Sequence, residues 1–161
     1  MMSKPPTPDS LDACAVRRMP RALVAFSGQT ELAWLRLLRP GFRHCFALLE
    51  SPESEAHGGA WVLYNPLSNG TQIAVWSLND EETIRAWLRQ HGYEVLETVV
   101  RPISARVFGW RPYTCVEALK RVLGLHAPGV FTPWQLYRYI NKHNNRKIIL
   151  DRTGMMGYKS S

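Results

Sequence analysis

A cysteine that opens a well-capped helix is a chemical candidate before anything else about a chain is known. In the run Arg111-Pro112-Tyr113-Thr114-Cys115-Val116-Glu117-Ala118-Leu119-Lys120-Arg121-Val122-Leu123-Gly124, Thr114 fits the N-cap, Cys115 the first helical position and Glu117 the third. That is the Ser/Thr-x-x-Glu capping box. Val116, Leu119, Val122 and Leu123 recur at helical spacing, and Gly124 supplies the stop. A thiol in such a first turn feels the partial positive charge and the unpaired N–H groups of the helix terminus, which favour thiolate over thiol. The same N–H groups can receive a developing oxyanion. The competing structural reading is a small buried apolar side chain, a common fate of free cysteine.

A nucleophilic thiol needs a base, and the base needs an orienting group. The histidines are His44, His57, His91, His126 and His143. His57 falls in a polar loop, His91 at a helix end, His126 just past Gly124 and His143 in a basic tail. His44 alone sits on a strand, Phe42 to Glu50, and a strand gives a base rigid placement. Alternation puts His44, Phe46 and Leu48 on one face and Cys45, Ala47 and Leu49 on the other. His44 and Cys45, although adjacent, are therefore not expected to share a site. Asn65, at the predicted end of the next strand, is placed to hold the imidazole in its working tautomer, as in a Cys-His-Asn set. Its competing reading is a turn start, because Asn65 precedes Pro66.

Other chemistries find no support. The sequence has no H-x-x-x-H or H-E-x-x-H pair, no clustered carboxylates and no glycine-rich phosphate loop, so neither a metal nor another cofactor is expected. The three cysteines, Cys14, Cys45 and Cys115, are odd in number and widely spaced, without a C-x-x-C pair. They read as reduced thiols, and Cys14 is given no catalytic role.

The elements that must position these residues alternate between strands and helices, an α+β pattern. Strands are predicted over Ala22–Phe26, Phe42–Glu50, Trp61–Tyr64, Thr71–Leu78, Glu94–Val100 and Ile103–Phe108. A helix is expected from Thr30 to Leu38, ended by Pro40-Gly41. A second begins at Asn79, with Glu82 completing its box, and Gly92 stops it. A third is capped by Thr132-Pro133-Trp134-Gln135 and runs to about Ile140.

The length of 161 residues suits one domain, and the hydrophobic fraction of 45% supports a sizeable core. A proline-rich, poorly ordered lead-in covers residues 1–20, the folded domain 21–141 and a basic tail 142–161. No apolar run approaches a membrane span, and the N-terminus lacks a secretory apolar core, so the expected compartment is the cytoplasm. The net charge of +7 is uneven: from Arg138 to Ser161 six basic residues face Asp151 alone. Such a segment can bind nucleic acid or an acidic partner, or simply keep the chain soluble. The alternative to an enzyme is thus a non-catalytic, phage-associated structural or binding protein that uses this tail.

A His on an early strand (Gly41-Phe42-Arg43-His44-Cys45-Phe46), a polar residue at the end of a following strand, and Thr114-Cys115-Val116-Glu117 opening a late helix resemble the circularly permuted NlpC/P60-type papain-like superfamily. In its permuted members the His precedes the Cys, as here. The resemblance covers roughly residues 22–140. It implies a papain-like fold, with a central antiparallel sheet packed against helices that include the Cys-bearing one. It also implies a thiol hydrolase (peptidase or amidase) or acyltransferase working through a thioacyl intermediate. Cys115 would be the nucleophile, His44 the base and Asn65 the third member, with Gln72 the second choice. Gln29 and Tyr113 are the candidates for a further oxyanion donor. Cell-wall peptides, protein isopeptides and lipid acyl groups all fit as substrates, small phage-related and bacterial members of the superfamily share the spacing, and a virion-associated location stays open beside the cytoplasm.

Overall fold

The computed structural model describes residues 19–29, 33–51, 60–76, 80–102 and 113–154. Its centre is a five-stranded sheet in the order β4-β3-β2-β1-β5. The strands are β1 (Arg21–Ser27), β2 (His44–Glu50), β3 (Trp61–Leu67), β4 (Gly70–Trp76) and β5 (Glu94–Val99). Every neighbouring pair is antiparallel. Among the described residues three α-helices pack on the sheet: α1 (Glu81–Gln90), α2 (Cys115–Val122) and α3 (Pro133–Gly154). The chain is therefore an α+β protein with helices on both faces of an antiparallel sheet.

The uninterrupted apolar run of β1 follows from this layering. Ala22, Val24 and Phe26 face α2 and α3, where they meet Cys45, Ala47, Leu119, Leu123, Leu136 and Ile140. Leu23 and Ala25 face the opposite way, toward Ile84 and Leu88 of α1 and the strand residues Phe46, Leu48 and Leu63. A strand covered on both sides has no polar face to show, and so loses the period-2 pattern. On the α1 side, Arg21 grips Glu50 at 2.9 Å and also pairs with Glu81, which ties the start of the helix to the sheet.

The Cys-bearing helix is short, and its seat on the sheet is reinforced by a buried ion pair. The Lys120 ammonium, 2% exposed as a residue, lies 2.7 Å from the Glu117 carboxylate and donates to the carbonyls of Ala127 and Val130 at 3.1 and 3.0 Å. One side chain thus binds α2 to the loop leading into α3. The helix ends where Gly124 takes φ +62°, and a Cβ there would meet the Arg101 carbonyl oxygen at 2.4 Å. Conformation and space both demand glycine at this position.

Several boundaries differ from the sequence reading. The N-cap of α1 is Asp80, one residue later than expected, and its carboxylate accepts from the backbone of Glu82 and Thr83. A short carboxylate one position on does the capping as well as Asn79 would have. The helix predicted over Thr30–Leu38 is a 3-10 segment over Ala33–Leu37 among the described residues. Strand β3 does not end at Asn65-Pro66 but runs through both to Leu67. Pairing between β2 and β3 covers Ala47–Glu50 with Trp61–Tyr64 and stops there, so on that side Pro66 leaves no ladder bond unmade. Helix α3 starts at its reciprocal box, with Thr132 accepting from the Gln135 N–H and Gln135 accepting from the N–H groups of Phe131 and Thr132. It then passes Ile140 and continues to Gly154. Beyond Ile140 it lies along β5, where the Asn144 amide donates to the Glu97 carbonyl at 2.6 Å. A helix already nucleated extends through polar residues until a breaker arrives, and such a stretch shows no apolar period. The strand expected over Ile103–Phe108 and the loop holding His57 lie outside the described residues.

Two substitutions test the seating of α2. Gly124→Ala should lower the free energy of unfolding by about 2 kcal/mol or more, read as a drop in the urea midpoint at unchanged slope. Lys120→Met takes the 2.7 Å partner from the buried Glu117 carboxylate, leaving Arg121 at 3.7 Å, and removes the donor to the Ala127 and Val130 carbonyls; urea titration should show a loss of about 3 kcal/mol. A midpoint that does not move would remove the ion pair from the account of the fold.

Candidate active site

The residues singled out from the sequence meet at one end of the sheet. His44 begins β2, opposite Ser27 at the end of β1. Asn65 lies near the end of β3, paired with Gln72 near the start of β4. In an antiparallel sheet these positions share an edge of the layer. The first turn of α2 brings Cys115 to the same edge, because its apolar side is fixed on β1 and β2.

The contacts form a chain. Cys115 is half-buried and hydrogen-bonded to His44. His44 Nε2 lies 2.8 Å from Asn65 Oδ1, and Asn65 Nδ2 donates to Gln72 Oε1 at 3.1 Å. The directions agree with one another. Gln72 accepts from the Asn65 amide nitrogen, so the Asn65 oxygen is turned to the imidazole and accepts from Nε2–H. That fixes the tautomer and leaves Nδ1 for Cys115. Asn65 is thus the residue behind the ring, and Gln72 stands behind Asn65.

Cys45 joins this group, contrary to the expectation from strand alternation. Its fully buried thiol donates to Cys115. Both residues stay paired with β1, Cys45 opposite Phe26 and His44 opposite Ser27. His44 is the terminal residue of β2 and lies beyond the stretch paired with β3. Cys45 keeps the face that it shares with Ala47, toward α2, and His44 at the first position of the strand bonds to the same Cys115 thiol. Sequence reasoning passed over Cys45, although a signal existed. The apolar side of α2 needs small residues beneath it, and Cys45, Ala47 and Ala22 supply them on one face.

These neighbours make the Cys115 thiol strongly acidic, holding it at about 5. The hydrogen bond from Cys45 is the largest cause, and burial opposes it. The hydrogen bond and positive charge of His44 and the backbone N–H of Cys45 complete the effect. Cys45 moves the other way, well above the ordinary thiol range, because burial and the adjacent Cys115 both disfavour a second thiolate. The pair therefore holds one thiolate and one S–H donor at neutral pH.

The cap of α2 serves the same atom. Thr114 Oγ1 accepts from the Glu117 N–H at 3.2 Å. The N–H groups of Cys115 and Val116, in the first turn, have no acceptor within the helix, as at any helix start. Glu117, the far half of the expected box, has its carboxylate 2.7 Å from Lys120 and 3.7 Å from Arg121. Of the two candidates for a second oxyanion donor, Tyr113 has its hydroxyl 2.7 Å from Thr71 Oγ1 on β4, and Gln29 is exposed. The remaining described histidines are elsewhere. His91 donates to the Trp87 carbonyl and stacks on that indole, His143 donates to the Tyr139 carbonyl, and His126 is exposed.

No family model, curated protein sequence or solved structure matches the chain. No helix among the described residues is long and apolar enough to cross a membrane.

The rate of alkylation of Cys115 by iodoacetamide should rise with pH through an inflection at about 5 and stay level toward neutrality. Below that value the thiol is protonated and the rate falls. His44→Ala should move the inflection up by about one unit or more, and Cys45 should stay unlabelled in the folded chain. An inflection in the ordinary thiol range, about 8.5, would refute the activated thiol.

Proposed function

We propose that this chain is a cysteine hydrolase, a peptidase or amidase, or an acyltransferase, of the permuted NlpC/P60-type papain-like class. The observation that carries the reading is the unbroken chain of contacts from Cys115 through His44 to Asn65, with the sulfur at a helix N-terminus. Two further features support it. The residues arrive in the permuted order, His before Cys, and the Cys helix packs on an antiparallel sheet.

The chemistry follows from the protonation states. With the proton of Cys115 resident on His44, the thiolate attacks a carbonyl carbon of an amide or ester. Negative charge moves to the carbonyl oxygen, which the Cys115 N–H helps to hold. His44 gives its Nδ1 proton to the leaving amine or alcohol, and a thioester on Cys115 remains. The neutral imidazole then takes a proton from water, or from another acceptor, as that oxygen attacks the thioester. Loss of the thiolate restores the resting pair. Asn65 keeps the ring oriented while its charge changes, and Gln72 keeps Asn65 from rotating. Cell-wall-type peptides, isopeptides and acyl esters all present the carbonyl that this sequence of steps needs.

The test is an activated acyl ester, followed by release of the alcohol and by the mass of the intact protein. A transient acyl adduct should map to Cys115 and disappear with hydroxylamine. Cys115→Ala should abolish both signals. His44→Ala should lower kcat/KM by about 10²–10⁴, and Asn65→Ala by about ten- to a hundredfold, the worth of one hydrogen bond to a charged ring. Turnover by Cys115→Ala equal to that of the parent chain would overturn the reading.

A further inference from the structure

Cys45 takes no part in the steps above, yet it is a nucleophilic side chain in direct contact with the reacting sulfur. It is 0% exposed and packs in the cluster formed by β1, β2, α2 and α3, and Cys115 packs against that cluster. Both cysteines are free thiols. Their arrangement is asymmetric in a useful way. Cys115 lies on the first turn of α2 and is half-buried, so a small reagent meets it first. Cys45 lies behind it, closed off from solvent, with its S–H directed at the Cys115 sulfur. An accessible reactive thiol backed by a second thiol is the arrangement of a redox-responsive pair.

We propose that Cys115 and Cys45 are a site of reversible oxidation, in which Cys115 is oxidised by a hydroperoxide and Cys45 resolves the product to an intramolecular disulfide. The inference rests on the reading of Cys115 as a reactive thiolate and extends it to regulation of the same site.

The steps balance as follows. The Cys115 thiolate attacks the terminal oxygen of the hydroperoxide. An S–O bond forms, the O–O bond breaks, and the departing alkoxide takes the His44 proton and leaves as an alcohol. Cys115 is now a sulfenic acid. The Cys45 sulfur then attacks Cys115 Sγ, forming the S–S bond and breaking the S–O bond. The hydroxide that leaves takes the Cys45 thiol proton and becomes water. Two thiol sulfurs have lost two electrons, and the hydroperoxide has gained them. The disulfide blocks attack on substrate and stops Cys115 from advancing to the irreversible sulfinic and sulfonic acids. A dithiol reductant returns both thiols.

Cys45 is suited to the second step by position. Thiol–disulfide chemistry usually needs a thiolate attacker, which the core around Cys45 disfavours. Here the proton it must lose lies beside the sulfur whose hydroxide leaves, so the transfer is local and no buried thiolate has to persist.

The experiment uses the full chain carrying Cys14→Ser, so that Cys45 and Cys115 are the only thiols. The protein is exposed to hydrogen peroxide, then denatured, alkylated and digested. The expected result is a chain two hydrogens lighter, a cross-linked peptide pair containing Cys45 and Cys115, loss of Cys115 alkylation, and recovery of that alkylation with a dithiol. In Cys45→Ser and Cys45→Ala the same exposure should leave Cys115 as sulfinic acid, which the dithiol does not reverse. Sulfinic acid at Cys115 with Cys45 still alkylatable in the parental chain overturns the proposal, as does a disulfide joining two chains. This readout does not depend on either Cys45 variant folding. Iodoacetamide labelling of the untreated protein separates the two claims. Fast labelling of Cys115 without a disulfide overturns this inference alone, and slow labelling overturns the hydrolase reading with it.

Discussion

The site depends on how an eight-residue helix is held against the sheet. So short a helix has little stability of its own and takes it from its surroundings. Its apolar side, Val116 and Leu119 above all, is buried against β1 and β2. Its polar side is no freer. Lys120 and Glu117 are buried as a pair, and the ammonium also holds the loop that follows. Gly124 then turns the chain away in the space left beneath the Arg101 carbonyl. These constraints leave the first turn no room to slide, and so they set where the Cys115 sulfur meets the end of the sheet.

That end is also where β2 and β3 cease to pair. His44 stays opposite Ser27 and Asn65 opposite Gln72, and at this end their side chains meet each other and His44 also meets Cys115. The β3–β4 hairpin stays paired to its tip, which keeps Asn65 opposite Gln72. One side of the site is thus opened by loss of pairing and the other is held rigid by it. A base that must change protonation state without moving benefits from both.

The acidity of Cys115 is a balance of opposed effects. Burial alone would raise the thiol, as it does for Cys45. Hydrogen bonds from Cys45 and His44, with the charge on the imidazole, more than reverse it. The partial charge of the helix terminus, the only activation legible in one dimension, acts beside these tertiary donors. Cys45 has two structural tasks, filling the small space beneath α2 and presenting a proton to its neighbour.

The sequence by itself determined most of the local structure. Capping boxes, breakers and periodicity located the Cys115 helix, the α3 start and five strands, because these features depend on residues a few positions apart. It also separated His44 from the other histidines, since that one alone is predicted on a strand. Tertiary structure decided what depends on distance across the chain. It brought Asn65 behind His44 and Gln72 behind Asn65, which needs the hairpin register. It carried α3 past Ile140 along β5, where polar contacts leave no apolar period to read. It placed Cys45, on the face it shares with Ala47, beside Cys115, because that face is the one α2 packs on. The chemical types present were legible from their neighbours in the chain; their convergence was not, because it follows from the register of the strands and how one short helix is wedged against them.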